Sequence, residues 1–566
     1  MTRIPDTTFQ RWEIGGTGSW IKRHIVTYLQ PYVSPQRPPS TSPPTLDCAT
    51  LSGHPDYPVL SPTTESLNHS SPSAHHTNGR PTTSVHHMPP EILGKIFEFA
   101  IASSDTNLPM RLAIEETCRC LYHIASVCWT WRTVALDHTS LWSLIPLVCY
   151  RLRHKTLVTM HSATLGVERA GNSSLRFAAD LGLFIPTKSL IIERLAESKH
   201  HISYVNLRIS GYYGLEEILN PILEANGERS MTELSLCLEP SAAFIHERPD
   251  PYILFQNSTP SERYSFEQSL RSLQILRLKN VVLCAPNASF TNLRWLRLQG
   301  IMTNDNVSLV EALKVLETAY QLERLELVEM EVEEMKPPMP YDVVIPFPNL
   351  KTLYIKDVIV DTMQTLLCCI KPGPHQTFLS LSSSYLNRLY LDEEDHDQAS
   401  RLRNATQPHR PCALVVHDKE GAAVDPEALR ALLCRLPDLA AIHFRSNHLS
   451  PALFAALTYS SGSTVCPAEF PRFRQLLLSC ETVDFIHESQ NSLIEFFSSH
   501  PLEELILGGA LRILSPEASN SVTGSDYAHS SGLSSLRIWL QENIGKVRMM
   551  ERADFVAFES STWQLW

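Results

Sequence analysis

The chain has 566 residues, 43% of them hydrophobic and 19% charged, with a formal net charge of −12 at pH 7. That length exceeds one ordinary core and calls for two or three units or a repeat array, and the acidic balance argues against non-specific nucleic-acid binding. The longest near-continuous apolar run, Leu141 to Tyr150, is far short of the roughly 20 residues of a membrane span, and without a basic start followed by a long apolar core in its first residues the chain is not expected to be secreted.

Thirteen cysteines, an odd number without framework spacing, fit reduced thiols in an intracellular protein of the cytoplasm or nucleus. Residues 1–33 hold one short helix candidate at Trp20, Ile21, Ile25 and Tyr28, to which no function attaches. Residues 34–87 differ in composition: Ser, Thr and Pro fill 28 of 54 positions, and Lys is absent. A segment so poor in apolar surface cannot offset its ordering entropy and is expected to be a disordered linker.

The next stretch carries the most specific pattern. Pro90 suits a first helical turn, where its missing N–H would have no partner, and Glu91 favours the positive end of the helix dipole. Ile92, Leu93, Ile96, Phe97 and Ala100 follow as an apolar stripe. Ala102 to Pro109, rich in Ser, Asp, Asn and Pro, reads as a loop. Val127, Trp131 and Val134 then repeat the helical spacing, Cys128 and Arg132 sit among them, and Leu141-Trp142 supplies two large anchors. In this order the residues from 88 to 147 resemble an F-box, with Met88 standing where the pattern has Leu. The resemblance implies a small all-α docking unit, with Pro90, Ile92, Leu93, Ile96, Phe97, Val127, Cys128 and Trp131 as its adaptor-binding residues.

After a connecting region at 148–199, a motif of apolar-x-x-apolar-x-apolar recurs. It reads Ile202/Val205/Leu207, Met231/Leu234/Leu236, Leu273/Leu276/Leu278, Leu293/Leu296/Leu298, Leu322/Leu325/Leu327 and Leu350/Leu353/Ile355. Further copies are Leu386/Leu389/Leu391, a degenerate Leu414/Val416, Leu439/Ile442/Phe444, Phe473/Leu476/Leu478, Leu502/Leu505/Leu507 and Leu533/Leu536/Ile538. Steps range from 20 to 42 residues, so the array is irregular. Helices are expected between the strands: at 304–321 with Asn304 or Asp305 as cap, from Asp425-Pro426-Glu427 onward, and at 489–498. Units of this kind bury their apolar faces only against neighbours, which makes a solenoid. Residues 200–545 resemble an irregular leucine-rich-repeat horseshoe, although Val281, Ile301 and Met330 stand where that pattern has Asn or Cys. The expected fold class is thus an α/β solenoid preceded by a small all-α F-box unit and a disordered N-terminal segment, with 546–566 as a cap or tail.

Strand alternation turns the residues between the leucines to the concave side. There the chain presents Arg277, Lys279, Trp295, Arg297, Arg324, Tyr354, Lys356, Arg388 and Tyr390, with Ile275, Gln299, Glu326, His443 and Arg445 at equivalent positions, a basic and aromatic stripe in an acidic protein. Guanidinium forks match carboxylate and phosphate, so the stripe is the expected site for an acidic or phosphorylated protein substrate. No glycine-rich phosphate loop or catalytic set is visible. Cys118, Cys120 and Cys128 read as core, His75-His76 and His86-His87 as solvated, and the acidic run Asp392–Asp397 as a loop; no cofactor or metal is expected.

The F-box resemblance implies the substrate-recognition subunit of a cullin-based SCF-type ubiquitin ligase, with its adaptor and a cullin as partners and catalysis by proximity. Two alternatives stand beside it: an interaction scaffold with a vestigial F-box, and an enzyme in the C-terminal region.

Overall fold

The computed structural model describes residues 88–565 apart from 103–107, 153–154, 159, 183–194, 196–200, 212–213, 227–229, 240–251, 335–342, 392–395, 418–422, 446–449, 459–469, 487–488, 515–537 and 551–562. The expectations for 1–33, for the linker at 34–87 and for Asp392–Asp395 lie outside the described residues.

Three helices come first: α1 (Pro90–Ala102), α2 (Met110–Ser126) and α3 (Trp129–Asp137). Pro89 lends its carbonyl to the amides of Ile92 and Leu93, which starts α1. Cys128 caps α3, its Sγ accepting from the Trp131 amide at 3.4 Å. Leu93, Phe97, Leu121, Ile124, Val134, Ala135, Leu141 and Trp142 form the core of this unit. Gly94 is required there, because a Cβ would collide with the His138 ring.

The chain then enters a sheet of fifteen strands among the described residues, ordered β19-β18-β17-β16-β15-β14-β13-β11-β9-β7-β5-β4-β3-β1-β2. Its first part comprises β1 (Leu144–Leu152), β2 (Lys155–Val158), α4 (Met160–Arg169), β3 (Leu175–Leu181), β4 (Ile202–Ser210), α5 (Leu215–Asn226) and β5 (Glu233–Glu239). Next come β6 (Tyr252–Leu254), α6 (Pro260–Leu270), β7 (Ile275–Lys279), β8 (Val281–Leu283), β9 (Trp295–Gln299), β10 (Met302–Asp305) and α7 (Asn306–Lys314). Then follow β11 (Arg324–Val328), β12 (Glu331–Glu334), β13 (Thr352–Lys356), α8 (Val360–Cys369), β14 (Gln376–Ser382), α9 (Ser383–Leu391), α10 (His396–Thr406) and β15 (Pro411–His417). The last are α11 (Pro426–Leu433), β16 (Ala441–Arg445), α12 (Pro451–Leu457), β17 (Gln475–Ile486), α13 (Ser489–Ser499), β18 (Glu504–Leu514) and β19 (Lys546–Met550). All neighbours in the sheet are parallel except β1 and β2, whose antiparallel pairing closes the first edge.

The leucines of the motif point to the helix side. Leu276, Leu296, Leu325, Leu353 and Leu476 share one core with helix residues such as Phe266, Leu313, Leu366, Leu429 and Phe496. The helix starts follow local chemistry: Asp305 caps α7 by accepting from Ser308 N at 2.7 Å, and Asp425 caps α11 by accepting from Glu427 N at 2.9 Å. Asn280, Gly300, Glu329 and Asp357, the residues just after β7, β9, β11 and β13, all have positive φ. The first three of these amides donate to the carbonyl at the end of the next strand, and that of Asp357 donates to the Ser380 carbonyl within β14, so the ladder continues through the turn. Val281, Ile301 and Met330, which replace the usual polar residue, are buried.

The structure corrects several boundaries. The sheet begins at Leu144, because β1 pairs with β3 and β3 with β4, so the described strands β1 and β3 within the expected F-box end and connecting region already belong to the sheet. Leu386, Leu389 and Leu391 lie on α9 and the strand is β14, since leucines three apart satisfy a helix as well as a strand motif. The final strand is β19, whereas Ile538 is helical and exposed and Leu533 and Leu536 lie outside the described residues. No described helix is long and apolar enough to cross a membrane.

Candidate functional site

Two surfaces merit attention. On the helical unit the apolar stripe of α1 splits. Leu93 and Phe97 are each 1% exposed and face inward, where the Phe97 ring packs 4.9 Å from that of Trp131. The adjacent positions face water: Ile92 is exposed, Ile96 is 43% exposed and Phe99 74%. At the turn into α3, Val127 is exposed and Trp129 is 76% exposed. Of the residues expected to touch an adaptor, Pro90, Ile92, Ile96 and Val127 are therefore at the surface, and Cys128 and Trp131 are half-buried. Leu93 and Phe97 belong to the unit's own core. Sequence reasoning missed Phe99 and Trp129, although both are large apolar residues beside the recognised positions.

Polar contacts hold this unit. Trp142 Nε1 donates to the Ala135 carbonyl at 2.8 Å, and Arg132 Nε to that of Ala125 at 3.0 Å. Glu98 accepts from Lys95 and Ser140, and those bonds keep its carboxyl below the usual range. Burial pushes the Cys118 thiol up to about 12, which suits a core cysteine and not a nucleophile.

The second surface is the open face of the sheet, opposite the helices. Ser235, Arg277, Arg297, Glu326, Tyr354 and Phe378 stand side by side in one row across β5 to β14. Cys237, Lys279, Gln299, Val328, Lys356 and Ser380 form the next row. The stripe read from sequence is therefore contiguous as far as Lys356. Arg388 and Tyr390 leave it, because they lie on α9 and not on a strand.

Its charges are matched within the chain. Arg277 pairs with Glu233 at 3.0 Å and donates to Ser235 at 2.7 Å. Arg297 pairs with Glu326 at 3.2 Å and donates to Gln299. Arg324 reaches the other oxygen of Glu326 and lies 4.5 Å from the centroid of the Trp295 ring. Lys279 pairs with Glu239 at 3.1 Å, and Arg208 with Asp180 at 3.1 Å. Burial is the main force on the Arg277–Glu233 pair: it lowers the basicity of Arg277 and raises the Glu233 carboxyl despite their attraction. Burial opposes ionisation of Glu239 as well, but Lys279 and Arg208 outweigh it and hold that carboxyl low. Burial likewise lowers Lys356 against the pull of Asp357 and Glu329. Arg277, Arg297, Tyr354 and Lys356 are buried, whereas Lys279, Trp295 and Arg324 are partly exposed. Sequence reasoning placed Glu326 on this face with the cations but omitted Glu233, Glu239 and Asp180 beside them.

Farther along, burial pushes His443 down to about 4 and also lowers His375, His409 and His500. Among the described residues no group of three or more His, Cys, Asp or Glu is placed to hold a metal ion.

A family model described as F-box-like matches residues 85–145, the segment that forms α1 to α3 and the first residues of β1. The chain carries an F-box-like domain followed by a leucine-rich-repeat-like α/β solenoid. Among solved structures, the crystal structure of a TLR13–ssRNA13 complex is similar to 60% of this chain at 15% identity, with a TM-score of 0.31. The chain spans 42% of that protein's length. No curated protein matches.

Proposed function

We propose that the chain is a substrate receptor of an SCF-type ubiquitin ligase, with the F-box-like domain docking the adaptor subunit and the solenoid holding a protein substrate. The observation that supports it is the set of large apolar side chains left in water on the domain, Ile92, Ile96, Phe99, Val127 and Trp129. A folded domain exposes such a group where a partner covers it. The adaptor would bury those side chains and bring the solenoid within reach of a ubiquitin-charged conjugating enzyme, so the chain contributes proximity and orientation.

On the open face, the reading of an acidic or phosphorylated substrate narrows to the partly exposed groups, Lys279, Trp295 and Arg324. Arg277 and Arg297 shape that surface from beneath through their ion pairs.

Co-purification tests the proposal. Tagged wild-type chain should bring down adaptor and cullin, and the double variant Ile96→Asp/Trp129→Asp should bring down neither while melting at the wild-type temperature. Retention of both partners by that folded variant would refute the docking assignment. Adaptor without cullin would favour the alternative of an interaction scaffold outside any ligase.

A further inference from the structure

The last described residues of the chain, Trp563, Gln564 and Leu565, sit at the far end of the sheet from β19, on the open face of its first strands. Trp563 is 4% exposed. Its indole occupies a hollow formed by Met110, Ile114, Val148, Ala178 and Cys237. Small side chains at Ala178 and Cys237 leave the room that a large residue on those strands would fill. The indole Nε1 donates to Asn206 Oδ1 at 2.8 Å, and the Arg277 guanidinium lies 5.4 Å from the ring centroid.

The backbone is held in the same place. Met110 N donates to the Trp563 carbonyl at 2.8 Å, and Gln564 makes an antiparallel bridge with Pro109. Asn206 Nδ2 donates to the carbonyls of Gln564, at 3.1 Å, and of Leu565, and Arg277 Nη2 reaches the Leu565 carbonyl at 3.2 Å. Three successive carbonyls thus accept hydrogen bonds from the groove while one side chain fills a pocket. Extended peptides are bound in this way, with backbone contacts for affinity and a pocket for specificity. Leu565 packs partly against the same cluster.

The segment is separable from the fold that holds it. Every pairing from β1 to β7 is complete without it, and Arg277 keeps Glu233 and Ser235 if it leaves. We propose that this groove is a displaceable peptide-binding site, occupied by the chain's own Trp563–Leu565. Its ligand in trans is an extended peptide with a tryptophan and, two residues on, an apolar side chain. The site joins the start of α2 to strands β1 to β7, so its occupant also ties the F-box-like domain to the solenoid. It stands independently of the ligase reading.

The test uses the full chain ended at residue 562 and a fluorescent synthetic peptide covering residues 551–566. The truncated chain should bind the peptide saturably. The intact chain should bind it at least tenfold more weakly, because a tethered occupant competes at high effective concentration. Replacing the peptide's tryptophan with alanine, or Asn206→Ala in the truncated chain, should each weaken binding at least tenfold. A truncated chain that melts cooperatively yet does not bind, or equal binding by intact and truncated chains, would overturn the proposal. Trp563→Ala in the full-length chain is the second variant and should fold and bind the peptide as the truncated chain does. If neither variant folds, the segment is an integral part of the core and the proposal fails.

Discussion

On the F-box-like domain large apolar side chains stand in water, whereas on the open face of β4 to β13 arginines and lysines are set against carboxylates of the same chain. The difference shows two ways of preparing a surface for partners. An exposed apolar group costs little in the folded monomer and gains on being covered. A buried arginine is costly unless it is matched, so the chain supplies its own counter-charges and leaves only the rim of that face open to a partner. Strand alternation alone made the open face look like a largely basic stripe. Its chemistry is that of a compensated lattice.

Substitution should separate the two regions. The largest effect is expected from Leu93→Asp, which puts a charge into the core of the helical domain and should cost several kcal/mol, enough to unfold that domain. Ile96→Asp, three residues on, should change stability by less than about 0.5 kcal/mol while removing adaptor binding. Circular dichroism melts beside pull-downs distinguish the cases, and equal destabilisation by both would erase the contrast.

On the open face, Arg297→Met should destabilise by about 3–5 kcal/mol, because it leaves Glu326 buried without one of its cations. Arg297→Met combined with Glu326→Leu should recover most of that loss in urea titrations. A single variant as stable as wild type would mean that the pair is not desolvated.

The buried histidines give a pH signature. With His443 lowered from 6.5 to about 4, the unfolded chain binds a proton between those values that the folded chain refuses. Stability should therefore fall as pH drops from about 6.5 to about 4, by on the order of 2–3 kcal/mol from this group. His375, His409 and His500 shift in the same direction and add to the slope. His443→Gln should flatten the profile, and an unchanged slope would remove His443 from the account.

The smallest effect concerns the turns. Gly300 has φ +63 and faces the Asn280 side chain, so Gly300→Ala should cost about 1–2 kcal/mol in thermal melts. A neutral result would show that the turn relaxes freely.

Much of the solenoid was legible because leucine spacing reports strand burial directly, as at Leu276/Leu278 and Leu325/Leu327. The early strands were not. Leu144–Leu152 is a near-continuous apolar run that read as the end of the F-box and the start of a connector, and β3 carries Phe177 and Ala179 where the motif has leucines. On α1, neighbouring residues lie 100° apart, so Ile92 and Leu93 share a stripe in sequence and opposite environments in space. For the open face the signal was present: aligning the motifs sets Glu326 opposite Arg297. The seat of Trp563 was not readable, since its contact with Asn206 spans 357 positions and follows no local periodicity.

The left-handed turns after β7, β9, β11 and β13 bear on how such a chain can change. Adjacent strands are set by rung-to-rung hydrogen bonds and by the turn that follows, while the starts of β7 and β9 lie 20 residues apart and those of β18 and β19 lie 42 apart. The sheet is a ruler with marks about 4.8 Å apart, whatever length of chain runs between them. Insertions on the helix side can lengthen the outer arc and leave the spacing of recognition groups on the open face untouched. One residue added inside a strand would instead turn the rest of that rung over, exchanging leucines for charges.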